Sequence, residues 1–255
     1  MRLFGCVCGQ FHSSGAGMGM SAERVAVPIP FYVVDHPQGV ALFDCGLHRD
    51  LVHADDPYRR RLRTQDMDVS LSTEETVTRA LERLDIDPAT VRFAVLSHLH
   101  FDHAGGLSEL PNATIVVQAR EWRAGRDDDL AARYFLPRRF FDLGHSVLQI
   151  DGEHDLFGDG SVTVLPSFGH TPGHQSMHVR SDDGDHLLVA DACYNCETAR
   201  TRRFPAHFNT RAMNRSLDAL IARCGPETLM IYGHDPSQWG DQPVLSSSRG
   251  LLRKT

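Results

Sequence analysis

Two apolar runs near the start of the chain, RVAVPIPFYVV over 24–34 and GVALFD over 39–44, are separated by His36-Pro37-Gln38-Gly39. They predict two strands joined by a short turn, hence a β-rich N-terminal layer. From 47 to 71 the pattern loses any period, and Arg59, Arg60, Arg61 and Arg63 crowd a polar stretch that reads as a surface loop or lid. Ser72-Thr73-Glu74-Glu75 has the Ser-x-x-Glu form of a capping box, and Val77, Leu81 and Leu84 follow at helical spacing, which predicts a helix of about twelve residues. VRFAVLS at 91–97 reads as a buried strand and TIVVQ at 114–118 as another, while 119–143 looks helical in pieces broken at Gly125 and Pro137. SVTVLPS (161–167), QSMHVR (175–180) and HLLVAD (186–191) predict three more strands. The last unit is a helix over 210–223 with Met213, Leu217, Leu220 and Ile221 on one face, then the strand TLMIYG.

Strands dominate both halves and each half also carries helices, so two sheets with helices outside fit better than one βαβ wheel. The expected fold class is α/β, a four-layer αβ/βα sandwich. No linker or low-complexity stretch divides the 255 residues, which suit a single domain over 1–255. Composition narrows the function classes. A formal charge of −7 offers no attraction to phosphate backbones, and no run of eighteen apolar residues could span a bilayer. Nucleic acid and membrane are therefore not expected partners. The first twenty residues lack the unbroken apolar core of a secretory signal, and six cysteines are too sparse for a disulfide scaffold. A cytoplasmic protein with free thiols is expected. Fifteen histidines are the compositional outlier.

The histidines concentrate in Ser97-His98-Leu99-His100-Phe101-Asp102-His103-Ala104-Gly105-Gly106. In an extended segment alternate side chains share a face, which would turn His98, His100 and Asp102 one way. His103 would then need a backbone turn, which the two glycines permit. Four ligands within six residues exceed what one tetrahedral zinc takes from a single segment, so two metals become plausible. Further candidates sit where expected strands end: His170 in FGHTPGH, Asp191 in VAD and His234 in YGH. Strand ends are where sheets of this class place their chemistry.

The set SHLHFDHAGG, GHTPGHQS, Asp191 and His234 resembles the metallo-β-lactamase superfamily, with the likeness running from about residue 24 to 236. The tyrosine of Asp191-Ala192-Cys193-Tyr194 makes the N-acyl-homoserine lactonase branch the nearest resemblance. The resemblance implies a metallo-β-lactamase-type sandwich holding two divalent metal ions, zinc first, with iron, cobalt or manganese as alternatives. His98, His100 and His170 would hold one ion, Asp102, His103 and His234 the other, and Asp191 would bridge them. It further implies hydrolysis of a small-molecule lactone by a metal-bridging hydroxide, which is quorum quenching. Tyr194 would polarise the carbonyl and Asp102 would shuttle the proton. Other lactone, ester or thioester hydrolases of the glyoxalase II or pyridoxolactonase type are the alternatives, and a mononuclear iron persulfide dioxygenase is a third. A monomer or homodimer is expected.

Other residues draw attention for less. His174 follows His170 by four, but the Pro172-Gly173 turn points to a supporting role outside the ligand set. Cys193 and Cys196 have a redox spacing without a thioredoxin-like context and read as coincidence. Cys6 and Cys8 read as packing. Met18, Met20 and Phe101 suit either an acyl chain or core packing, and the arginines at 59–63 and 200–203 read as solvated faces unless one of them rims the pocket.

Overall fold

The computed structural model describes residues 1–239 and the backbone of 244–246. Strands β1 (Arg2–Ser14), β2 (Arg24–His36), β3 (Gly39–Phe43), β4 (Asp68–Ser70), β5 (Val91–Val95), β6 (Thr114–Gln118) and β7 (Val147–Ile150) belong to one sheet. Strands β8 (His154–Asp155), β9 (Val162–Pro166), β10 (Gln175–Ser181), β11 (Gly184–Ala190) and β12 (Thr228–Tyr232) form a second, and β13 (Val244–Ser246) adds to the edge of the first. The larger sheet runs β13-β1-β2-β3-β5-β6-β7 with β4 beside β1, and the smaller runs β12-β11-β10-β9-β8. β3, β5, β6 and β7 are mutually parallel, so their carboxyl ends reach one edge.

Alternation along the strands splits the apolar residues among three layers. Tyr32, Val34, Phe43, Val95 and Val116 of the larger sheet meet Met177, Val179, Leu188 and Ile231 of the smaller one in a core between the sheets. The opposite face of the larger sheet, including Ile29, Phe31 and Leu42, packs under helices α1 (Pro57–Arg63), α2 (Val77–Arg83), α3 (Phe101–Ala104), α4 (Ala119–Arg126) and α5 (Asp128–Arg133). On the smaller sheet, Leu165, Leu187 and Val189 are covered by Leu217 and Leu220 of α7 (Thr210–Arg223), which follows the short α6 (Cys196–Thr201). This is the αβ/βα sandwich expected. Among the described residues no helix is long and apolar enough to cross a membrane.

Several local expectations need correction. Arg2–Ser14, not expected to be a strand, forms the long β1, which pairs with both β2 and β4. Both of its faces are covered, so its sequence shows no apolar–polar alternation. The 47–71 stretch is ordered: Asp56 caps α1, and Arg59 and Arg63 both donate to Asp68, pinning that helix to β4. The Ser72–Glu75 capping box exists but closes a 3₁₀ turn, and α2 starts only at Val77, so the helix is seven residues long.

The two sheets are stitched at the edge carrying the strand ends. Gln175 Nε2 donates to the carbonyls of Leu96 and Val116 at 2.8 and 3.0 Å, and its Oε1 accepts from Gln118 Nε2 at 3.1 Å. The Gln175 main-chain N–H donates to Ser97 O at 2.8 Å. Both glutamines are fully buried. Gln175→Ala leaves carbonyls short of donors in a dry site and is expected to lower the unfolding free energy by about 2–3 kcal/mol in urea melts. A change under about 0.5 kcal/mol would show that these bonds do not hold the sheets together.

Candidate metal centre

The β5-to-α3 turn carries the densest part of the site. After a bend at Ser97, His98 and His100 point their rings at each other from an irregular segment in which His100 is extended, but Phe101–Ala104 is already helical and brings Asp102 and His103 in from the first turn of α3. The strand alternation expected for Asp102 is therefore replaced by a helix start. The glycines after it do not make that turn. A Cβ at Gly105 would lie 2.4 Å from His48 N, and one at Gly106 would lie 2.1 Å from Cys45 O. They are needed because the helix is pressed onto the chain leaving β3. The remaining residues arrive from the smaller sheet: His170 after β9, Asp191 after β11 and His234 after β12. Ala190, at φ 46, takes a left-handed conformation that swings Asp191 into the site.

The structure brings together all seven residues singled out from the sequence. Two groups form, His98, His100, His170 and Asp191, and Asp102, His103 and His234, each with its ligand atoms within 4.8 Å of one another. Asp191 spans both: Oδ2 lies 3.2 Å from His170 Nε2, and Oδ1 lies 3.1 Å from His234 Nε2 and 3.4 Å from His103 Nε2.

Hydrogen bonds on the outward side of each ring decide what these atoms can do. His100 Nε2–H donates to Tyr134 O at 2.8 Å, and His234 Nδ1–H donates to Pro28 O at 2.8 Å. Ser97 Oγ gives its proton to Asp44 Oδ2 and so accepts from His98 Nδ1–H at 2.9 Å. His103 Nδ1–H donates to Asp44 Oδ2 at 2.8 Å. The inward nitrogens of the first group converge: His98 Nε2 and His100 Nδ1 stand 2.8 Å apart, and His170 Nε2 is 3.2 and 3.1 Å from them. Buried His103 Nε2 and Asp191 Oδ1 have no hydrogen bond. Imidazole nitrogens and carboxylate oxygens converging on one buried volume, two of them without a hydrogen-bond partner, fit cations.

Charge follows the same division. Burial and the neighbouring imidazoles push His98 well below the usual histidine range. Burial also drives His170 down, against the pull of Asp191. His103 and His234 go the other way: burial alone would lower them, but Asp191 and Asp102 raise both. Burial would raise Asp191, yet His234, His103 and His170 hold it well below the carboxylate range. Burial keeps the Tyr194 hydroxyl protonated, with its oxygen 3.3 Å from His170 Nδ1.

Sequence reasoning missed Asp44. It sits at φ 61 directly after β3, 2% exposed, and accepts from Ser97 N at 2.7 Å as well as from Ser97 Oγ and His103. An acidic residue closing an apolar strand was the available signal. His174 bonds Ser167 Oγ through Nδ1 at 2.8 Å and lies outside both ligand groups. All six cysteines are free, and burial pushes the Cys193 thiol up to about 12, which leaves it unreactive. A cavity of about 380 Å³ opens over the ligands, walled by Phe11, Met18, Tyr58, Leu62, Met67 and Phe208, with Phe101, Asp102 and Tyr194 also facing it. Met20 packs against the core instead. The arginine-rich helix α1 thus rims the cavity through Tyr58 and Leu62, while Arg59 and Arg63 serve as struts.

A two-sheet sandwich with a His/Asp centre at its strand ends defines a class, and residues 25–234 match that class throughout: the chain belongs to the metallo-beta-lactamase superfamily. Within it, the chain is 34% identical over 239 residues to the N-acyl homoserine lactonase AttM of Azorhizobium caulinodans, covering 89% of each protein. It is 31% identical to AttM of Agrobacterium fabrum, covering 90% of each. In fold it is similar to a solved N-acyl homoserine lactone hydrolase that holds the product N-hexanoyl-L-homoserine at its catalytic metal centre, with a TM-score of 0.82, 23% identity and coverage of 93% and 94%.

Asp44→Asn keeps a residue that tolerates the left-handed backbone but weakens the grip on His103. Chelator competition should show metal affinity falling about 10–100-fold. Unchanged affinity would mean that Asp44 does not orient the site.

Proposed function

We propose that this protein is a metal-dependent N-acyl-homoserine lactonase, with His98, His100, His170 and Asp191 holding one divalent ion and Asp102, His103, His234 and Asp191 the other. The observation that carries the reading is the clustering of imidazole and carboxylate donors on the floor of an apolar cavity, with one protonated phenol at its side. Relatives named for this activity at 31–34% identity over most of the chain support the substrate. Zinc is the proposed ion, since imidazole and carboxylate suit it. We assign the protein to the cytoplasm on its free cysteines, and quorum quenching to its role.

When bound, the ions supply Lewis acidity, lowering the pKa of water towards neutrality and polarising an ester carbonyl. The chain's own residues do the rest. The apolar cavity takes the acyl chain and orients the lactone ring over the ligands. Once His170 presents Nε2 inward, its Nδ1–H donates to the Tyr194 oxygen, which frees the Tyr194 O–H to donate to the lactone carbonyl. That bond strengthens as negative charge grows on the carbonyl oxygen. Asp102, exposed to the cavity beside His103 and His234, accepts the proton of the attacking water and returns it to the ring oxygen as the carbon–oxygen bond breaks. Water is added across the ester, and the product is an N-acyl homoserine.

A pH-stat assay with N-hexanoyl-homoserine lactone tests this. Metal-loaded protein should release one proton per lactone opened, and chelator-stripped protein none. Absence of acid release from the loaded protein would remove the lactone from the account. Tyr194→Phe should keep its metal and lose about 10²-fold in kcat, the cost of one oxyanion donor. An undiminished rate would contradict the phenol's role. Asp102→Asn should abolish turnover with at most partial loss of metal, which full activity would refute.

A further inference from the structure

Glu121 is a buried carboxylate that the reaction above does not use. It lies in the first turn of α4, has no exposed surface, and is flanked by Ala119, Arg120 and Trp122 in a helix that begins where β6 ends. Its two oxygens are spent on two different chain segments. Oε1 accepts from Leu99 N at 3.2 Å, between His98 and His100, and Oε2 accepts from Gly173 N at 2.7 Å, in the turn that carries His170. The buried Thr171 hydroxyl, which has no hydrogen bond of its own, stands near the same carboxylate and favours its ionised form. The helix also touches both segments sterically. A Cβ at Gly173 would lie 2.4 Å from Glu121 N, and a Cβ at Gly125 would lie 2.6 Å from Leu99 Cδ1. Burial pushes the Glu121 carboxyl up to about 7 against the pull of these donors, so keeping a charge here is costly and the donors offset that cost.

The first ligand group needs two nitrogens from the 98–100 segment and one from the 170–174 segment, elements that come from different sheets. The second group depends on other supports, Asp44 behind His103 and Pro28 O behind His234. We propose that Glu121 is a positioning residue that clamps the His98–His100 turn to the His170 turn and thereby sets the metal affinity of the first pocket alone. The inference rests on the two-metal reading.

The test uses cobalt as probe on the full chain, with competition against a chelator and the visible absorption of the bound ion. Wild-type protein taking up fewer than two equivalents would refute the two-metal reading and the clamp with it. Given two equivalents, Glu121→Gln places an amide N–H₂ against one of the two main-chain N–H groups. One equivalent should then weaken about 10–100-fold with altered absorption bands, and the other should stay as in wild type. Leu220→Ala, in the core under α7, serves as the control for a general loss of stability and should leave both affinities in place. Both ions held as in wild type, or both weakened together, would overturn the proposal. Glu121→Asp keeps the charge but is too short to reach both segments. It is expected to reproduce the selective loss and decides the question if the glutamine variant does not fold.

Discussion

Five imidazoles and two carboxylates point nitrogen and oxygen atoms into one buried volume, and that concentration of donor atoms is the constraint on which the rest of the structure turns. The protein does not relieve it. Four outward nitrogens are committed to an acceptor, Tyr134 O for His100, Pro28 O for His234, Asp44 for His103 and Ser97 Oγ for His98, and the fifth, His170 Nδ1, faces the Tyr194 hydroxyl. An arrangement of this kind is costly without a cation and well formed with one. Local strain marks the same place: Asp44 and Ala190 are non-glycine residues with positive φ, and each delivers a carboxylate to the centre.

The sandwich makes such a cluster possible by bringing two independent sheets to a common edge. The larger sheet supplies His98, His100, Asp102 and His103 from the turn after β5, and the smaller supplies His170, Asp191 and His234 from three separate strand ends. The apolar core between the sheets, the paired glutamines at the edge and the close approach at Gly105 and Gly106 hold these pieces in register. With the donors fixed from below, the layer above is free to serve substrate. There β1, α1 and the segment before α7 contribute Phe11, Tyr58, Leu62 and Phe208 to an apolar wall beside the Tyr194 hydroxyl.

The seven residues of the cluster are legible in the sequence because each closes an apolar strand or follows one at short range, and a histidine or aspartate in that position has few structural uses. The two-sheet architecture was legible from the count and spacing of strands. What escaped depends on partners far away along the chain. β1 shows no period because β2 and β4 flank it and both faces are covered. The 47–71 segment looks irregular until Arg59 and Arg63 meet Asp68. Extended alternation fails at Asp102 because α3 starts early, at Phe101, where it packs against the chain after β3, which no local pattern encodes. Asp44 offers only its place at the close of an apolar strand, and Glu121 carries no motif. Their roles come from hydrogen bonds to Ser97, 53 residues from Asp44, and to Leu99 and Gly173, 22 and 52 residues from Glu121.

The central claim is that two cations complete this centre and that both are needed for turnover. Stripped protein titrated with zinc, with bound metal and the rate of lactone opening followed together, tests it most directly. The account predicts binding of two equivalents and a rate that stays low through the first and rises with the second. A full rate at one equivalent, or turnover in the stripped protein, would contradict it.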